Sequence, residues 1–252
     1  MVSPVNSPLE GSPLGSPADV ASTSRSVREM FEAVAPRYDF LNHFLSAGLD
    51  VRWRRVVARA LREQLSDPGS IGLDVCCGTG DLALALRRVS SGRIIAADFC
   101  PPMLSLAVSK RPNSKVVFLG ADTLSLPFRD NTVDVIASAF GFRNLANYGL
   151  GLREMWRVLK RGGTLAILEF SRVRGPIFGP LFRLYFARVL PRLGTWLSGV
   201  AGPYQYLYDS ASRFPDQRAF AAALREAGFC NVRYRNFMDG VAALHLGEKQ
   251  VG

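Results

Sequence analysis

Acidic side chains recur in this chain just past short apolar runs, the places where an α/β protein keeps the groups that meet a ligand. Asp74 lies in the run Leu73-Asp74-Val75-Cys76-Cys77-Gly78-Thr79-Gly80-Asp81, Asp98 follows the apolar stretch Arg93 to Ala97, and Asp122 with Thr123 follows Lys115 to Leu119. A carboxylate ending the second of such strands can accept both hydroxyls of a ribose, and one after the third can accept from an adenine amino group. Gly78 and Gly80 permit a turn with its backbone open to a ligand, and Asp81-Leu-Ala-Leu-Ala-Leu opens a helix whose amide end faces that turn. Together these residues describe an adenosine pocket.

Two cofactor classes carry adenosine on such a turn. Gly78-x-Gly80-x-x-Ala83, with Asp98 downstream, satisfies the loose form of the dinucleotide fingerprint. Asp74 argues against it: four residues before Gly78, a carboxylate repels a pyrophosphate and attracts the cationic amino-acid half of a sulfonium methyl donor.

The elements that must hold these residues are legible as periodicity. Val27, Met30, Phe31 and Val34 recur at helical spacing until Pro36, and Val51 to Leu65 reads as an arginine-rich amphipathic helix. Strand-like runs at Ile71–Val75, Arg93–Ala97, Lys115–Leu119, Val133–Ser138 and Thr164–Phe170 alternate with helical stretches such as Met103–Ser109 and Leu150–Leu159. The alternation predicts an α/β fold, a doubly wound, mostly parallel sheet preceded by N-terminal helices. A helix over Gln217–Ala227 and runs at Cys230–Tyr234 and Val241–Leu246 predict an antiparallel C-terminal edge. With 252 residues and 48% hydrophobic content, one domain over 25–252 is expected, after a Ser/Pro-rich disordered tail over 1–24 and with a lid-like insertion at about 171–210.

Composition narrows the function classes. A net charge of +10 favours a polyanionic partner, nucleic acid or an anionic membrane surface. Cys76, Cys77, Cys100 and Cys230 offer neither a zinc spacing nor a disulfide framework, so no metal is expected and the compartment is reducing. No stretch has the length of a membrane span, and the first residues lack the apolar and basic segments of a signal or transit peptide.

The chain resembles the class I S-adenosylmethionine-dependent methyltransferases. More narrowly, it is similar to the quinone-biosynthesis C-methyltransferases that convert demethylmenaquinol to menaquinol and, in some members, methylate the ubiquinol precursor ring. The resemblance spans about Val27 to Lys249. It rests on Met30-Phe31-x3-Ala35-x2-Tyr38-Asp39-x2-Asn42, the run Leu73 to Asp81, Leu126-Pro127-Phe128, Ala139-Phe140-Gly141-Phe142-Arg143-Asn144, Leu168-Glu169-Phe170-Ser171, Tyr206-Leu207 and Gly240-Val-Ala-Ala-Leu-His245. The glycine turn identifies only the superfamily; Phe-Gly-x-Arg-Asn followed by Leu-Glu-Phe-Ser is far more specific.

The resemblance implies S-adenosylmethionine as cofactor, held by Asp74, Gly78, Thr79, Gly80, Asp98, Met103, Asp122, Thr123 and Ala139, the last standing where the family often has a serine. It implies Arg143 and Asn144 as the catalytic pair that holds a developing phenolate, with Tyr38, Tyr204 and Tyr206 around the quinone ring. A guanidinium with pKa above ~12 is a poor base, so an electrostatic role suits Arg143. His245, alone beside an apolar strand, reads as structural.

Phe170 to Tyr208 contains no acid, five arginines and many large apolar side chains. Phe178, Leu181, Phe182 and Trp196 with Arg174, Arg183, Arg188 and Arg192 suit a lid that touches an anionic membrane holding a polyprenyl quinol. A core-covering helix or a homodimer surface fits the same composition. The expected location is cytoplasmic, peripheral at the inner face of the cytoplasmic membrane, without a nucleic-acid partner. Methylation of another small molecule or of RNA by the same fold, a nicotinamide-dependent oxidoreductase and a non-catalytic scaffold are the competing readings.

Overall fold

The computed structural model describes residues 12, 19–34, 46, 48–110, 112–173, 175, 179 and 203–251. Within them the chain runs α1 (Val20–Val34), α2 (Leu49–Ala60), β1 (Ile71–Val75), α3 (Asp81–Arg87), β2 (Arg93–Asp98), α4 (Pro101–Lys110), β3 (Val116–Gly120) and β4 (Val133–Ala139). A single 3-10 turn, Phe142–Asn144, leads to α5 (Tyr148–Val158), β5 (Leu159–Phe170), α6 (Pro203–Arg213), α7 (Gln217–Glu226), β6 (Phe229–Phe237) and β7 (Ala242–Lys249).

The strands form one sheet in the order β3-β2-β1-β4-β5-β7-β6. The first five are mutually parallel, and β7 pairs antiparallel with β5 on one side and with β6 on the other, the antiparallel C-terminal edge that the sequence predicts. Successive residues of each strand face opposite layers. Leu73, Val75, Ile95 and Ala97 join a core with Phe142, Tyr148 and Leu152; Ile94, Ala96, Val135 and Ala137 join another with Trp53, Val57, Leu82 and Leu86. Strand order reverses between β1 and β4, which opens a crevice past their carboxyl ends.

Local chemistry sets the helix ends. Pro101 and Pro102 occupy the first turn of α4, where no backbone N–H needs a helical partner. Asn147 caps α5 by accepting from Leu150 N at 2.8 Å, and Asp216 caps α7 through Arg218 N and Ala219 N. Two boundaries differ from the periodicity reading. Helix α1 begins at Val20, so residues 20–24, placed in the tail by their composition, are helical; Asp19 Oδ1 accepts from Ala21 N at 3.0 Å. Strand β5 begins at Leu159 rather than Thr164, since Leu159 pairs with Val133 ahead of a register shift and Gly162 takes φ 77 within the irregularity. Of the lid-like insertion, residues 176–178, 180–202 and position 174 lie outside the described residues.

Candidate active site

The crevice at the β1/β4 reversal is an open cleft enclosing about 910 Å³ of empty space, its mouth included. Its floor is the end of β1: Asp74, Cys76, Cys77, Gly78 and Thr79 all line it. Gly80 stands behind this surface as the residue before α3, with φ +82, and a Cβ there would meet the Phe118 ring at 2.9 Å. The position therefore demands glycine both for backbone and for space.

Asp74 is 1% exposed, and neither carboxylate oxygen has a hydrogen-bond partner. Burial pushes its pKa well above the usual carboxylate range, against the opposing pull of the Ala83 amide and of Arg54. An orphaned buried carboxylate lining a cleft is a site for a cation. Asp98 lies across the turn, accepting from Gly78 N at 2.7 Å and from Cys100 N at 2.9 Å. A carboxylate has about four acceptor positions, so two remain for the hydroxyls of a ribose. Asp122 is exposed at the rim, one oxygen accepting from Leu124 N at 2.9 Å; Thr123 beside it is buried, its hydroxyl 3.4 Å from Cys76 Sγ. Met103, Phe99 and Leu124 supply an apolar slot between these two acids. A cation site, a diol site and an apolar slot in sequence fit the amino-acid, ribose and adenine parts of S-adenosylmethionine.

The opposite wall comes from the end of β4: Ala139, Phe140, Gly141, Asn144, Leu145 and Ala146. Phe140 takes φ 62, which turns the chain sharply out of the strand. Asn144 faces the cleft, and its Oδ1 accepts from Tyr206 Oη of α6 at 3.1 Å. Burial raises the Tyr206 phenol's pKa, so it stays a donor, which leaves the Asn144 amide protons for another acceptor.

Arg143 is not part of the lining. Its side chain, 5% exposed, donates through the guanidinium to Phe140 O and to Glu169 Oε2 at 3.2 Å, with the Phe170 ring 5.3 Å from Cζ. Glu169 Oε1 also accepts from Arg143 N at 3.0 Å. Burial raises the Glu169 pKa and Arg143 opposes that shift. The pair is a brace across the β4–β5 strand ends that fixes the turn carrying Asn144.

Of the residues singled out in the sequence, Asp74, Gly78, Thr79, Asp98, Met103, Asp122, Thr123, Ala139 and Asn144 share this cleft, while Gly80, Arg143 and Tyr206 support it from behind or beside. Tyr38 and the side chain of Tyr204 lie outside the described residues. His245 is buried, its Nε2 3.0 Å from Gln217 O, and burial lowers its pKa to about 4, away from the cleft's chemistry. Sequence reasoning missed Ser24 and Phe31 of α1 and Arg54 of α2, which close the cleft from above. Periodicity marks their helices without saying where the helices dock. Among the described residues no cluster of His, Cys, Asp and Glu is able to hold a metal, and no helix is long and apolar enough to cross a membrane.

A solved S-adenosylmethionine-dependent methyltransferase from Thermotoga maritima superimposes with a TM-score of 0.59, covering 88% of this chain and 100% of that one at 18% identity, a likeness of fold. The demethylmenaquinone methyltransferase of Deinococcus radiodurans is 44% identical over 235 residues, 92% of this chain and 96% of its own. That of Thermus thermophilus is 47% identical over 223 residues, 87% of this chain and 100% of its own. Residues 19–249 match the ubiE/COQ5 methyltransferase family, and the chain belongs to that family.

Proposed function

We propose that the protein transfers a methyl group from S-adenosylmethionine to a ring carbon of a polyprenyl quinol, converting demethylmenaquinol to menaquinol. The observation that carries this reading is one cleft with two halves: buried Asp74, Asp98 and the apolar slot on one side, and Asn144, backed by Tyr206, on the other. S-adenosylmethionine supplies an electrophilic methyl on a sulfonium. Asp74 meets the ammonium of its amino-acid half, and Asp98 takes the ribose hydroxyls. Loss of the quinol O–H proton to water would enrich the neighbouring ring carbon, and Asn144 would donate to the oxygen that takes the charge. The carbon would take the methyl as the sulfonium C–S bond breaks to release S-adenosylhomocysteine, and the ring C–H proton would leave to water as the aromatic ring is restored. Arg143 and Glu169 hold that amide in place rather than touching the ring, and Tyr206 fixes its orientation. The relatives named above act, by their names, on demethylmenaquinone, which supports the naphthoquinol ring.

A polyprenyl quinol resides in a bilayer, so the reading includes peripheral contact with the cytoplasmic face of an anionic membrane. A homodimer is compatible with it. The test supplies labelled S-adenosylmethionine with reduced demethylnaphthoquinol and, separately, the demethylated benzoquinol precursor. Label is expected in the naphthoquinol ring; transfer to neither substrate sinks the assignment, and transfer to the benzoquinol alone moves it to the ubiquinol series.

A further inference from the structure

Helix α2 has two dissimilar faces. Trp53, Val57 and Ala58 are buried, and Arg54 turns into the cleft wall, paired with Asp50. On the other side Arg52, Arg55, Arg59 and, in the turn beyond the helix, Arg62 are all exposed. Continued at about 100° per residue, the four fall within an arc of roughly 80° and span about 15 Å. No carboxylate pairs with them among the described residues; Glu63, four positions after Arg59, forms no ion pair with it, and Asp67 is engaged by Gly69 N. Helix α3 packs beside α2 and adds exposed Arg88. Between the two helices lies a groove lined by Arg55, Arg88 and Lys110, where the acid present, Asp81, is bonded to Lys110 at 2.8 Å.

Unpaired surface arginines are usually only hydrated, so their position decides what they mean. Arg54 and Asp81 line both the groove and the methyl-donor cleft, so the groove, with Arg55 of the stripe and Arg88 in its wall, adjoins the site. An anionic surface held by the groove and the stripe therefore lies on the side of the molecule next to the cleft. Guanidinium groups match phosphate diesters in geometry and stay charged throughout the working pH range. We infer that the exposed face of α2, with Arg88 and the adjoining groove, docks the protein on an anionic phospholipid bilayer and aligns the cleft for a quinol drawn from it. The inference rests on the quinol reading above and names the surface that reading needs.

The test uses the full chain and phosphatidylcholine vesicles with or without phosphatidylglycerol. Wild type is expected to sediment with the anionic vesicles only, and to be released by high salt. The variant R52Q/R55Q/R59Q/R62Q, whose glutamines keep good helix propensity, should lose binding by up to about six-hundredfold, from about fivefold for each of the four charges. Methylation of a long-chain quinol embedded in those vesicles should fall in step, while turnover of a short-chain soluble quinol stays at the wild-type rate. Unchanged vesicle binding by the variant overturns the inference. So does retention of wild type on RNA but not on vesicles, which gives the stripe to a nucleic acid. Absence of turnover on the soluble quinol by wild type fails the functional reading instead, independently of vesicle binding.

Discussion

Asp74 is the residue at which stability and binding oppose each other. Its carboxylate is buried without a hydrogen-bond partner, and its folded-state pKa is raised by desolvation. A raised folded pKa means stability that is present below the unfolded value, near 4, and is lost as pH rises through the folded value. Asp74→Asn is therefore expected to raise the melting temperature of the ligand-free protein at neutral pH while weakening S-adenosylmethionine binding ten- to a hundredfold, about the worth of a charge-assisted bond. Calorimetric titration beside a melting curve reads both; a variant that binds normally places the donor's ammonium elsewhere. Asn144 and Arg143 separate differently. Asn144→Ala should lower kcat by about a hundredfold with donor affinity unchanged, the scale of one lost oxyanion donor. Arg143→Ala should abolish turnover and also lower stability, because it strands Glu169 without its guanidinium. Glu169→Gln should reproduce part of the kcat loss although it lies on another strand, and an unaffected kcat there would remove the brace from the account.

At the scale of elements, what sequence could and could not predict follows from how local the cause is. Strand alternation, the glycine turn and the antiparallel edge were legible because each depends on residues within one run. The β4 exit is different. Glu169 reaches Arg143 because Ala139 pairs with Leu168 in parallel register, a contact across a sequence separation of 26. The spacing of Phe-Gly-x-Arg-Asn therefore marked Arg143 as functional while giving no sign that its guanidinium is bonded to Glu169 and takes no part in the cleft lining. Gly141 shows the same close approach: a Cβ there would sit 2.5 Å from Cys76 Cβ and 2.7 Å from Cys76 O. Gly141→Ala should push the β4 exit off the end of β1, costing about 1–3 kcal/mol as overpacking does and weakening donor binding; an unperturbed melting curve would show that the two strand ends have slack. The β7–α7 seam carries a pH dependence of opposite sense to that of Asp74. Burial holds His245 near 4 in the folded protein against an ordinary 6.5, so the stability it contributes is complete above about 6.5 and is lost as pH falls toward 4. The shift is worth on the order of 3 kcal/mol. Unfolding free energies of wild type and His245→Gln, measured between those limits, should converge as pH falls.

For the molecule as a whole, the cleft is where distant parts of the chain meet. Ser24 and Phe31 come from α1, Arg54 from α2, Asp81 and Leu82 from α3, Met103 from α4, and the remaining lining from β1 and the turn after it, from the ends of β2 and β4 and the turn beyond β4, and from the segment after β3. Among the described residues helix α1 touches α4 and α6, Arg28 lies over the Phe99 ring at 5.2 Å, and Phe31 packs on the Cys100 and Met103 cluster. Those partners are themselves the wall of the donor slot, so an occupant there adds contacts to α1 that the empty protein lacks. A segment held by few buried contacts opens by local fluctuation at a small free energy, well below that of global unfolding. Donor binding should then act at two levels. Globally, S-adenosylmethionine at a hundred times its Kd should stabilise the fold by about 2.7 kcal/mol, raising Tm by roughly 5–10 °C for a chain of this size, while NAD at the same concentration leaves Tm unchanged. Locally, amide exchange over residues 20–34 should slow as well, by up to the factor seen in β1 and β4, whose exchange follows the global stabilisation. Equal protection factors in α1 with and without donor, alongside a raised Tm, would mean that the cleft closes without α1 and that Phe31 lines a wall the donor never touches.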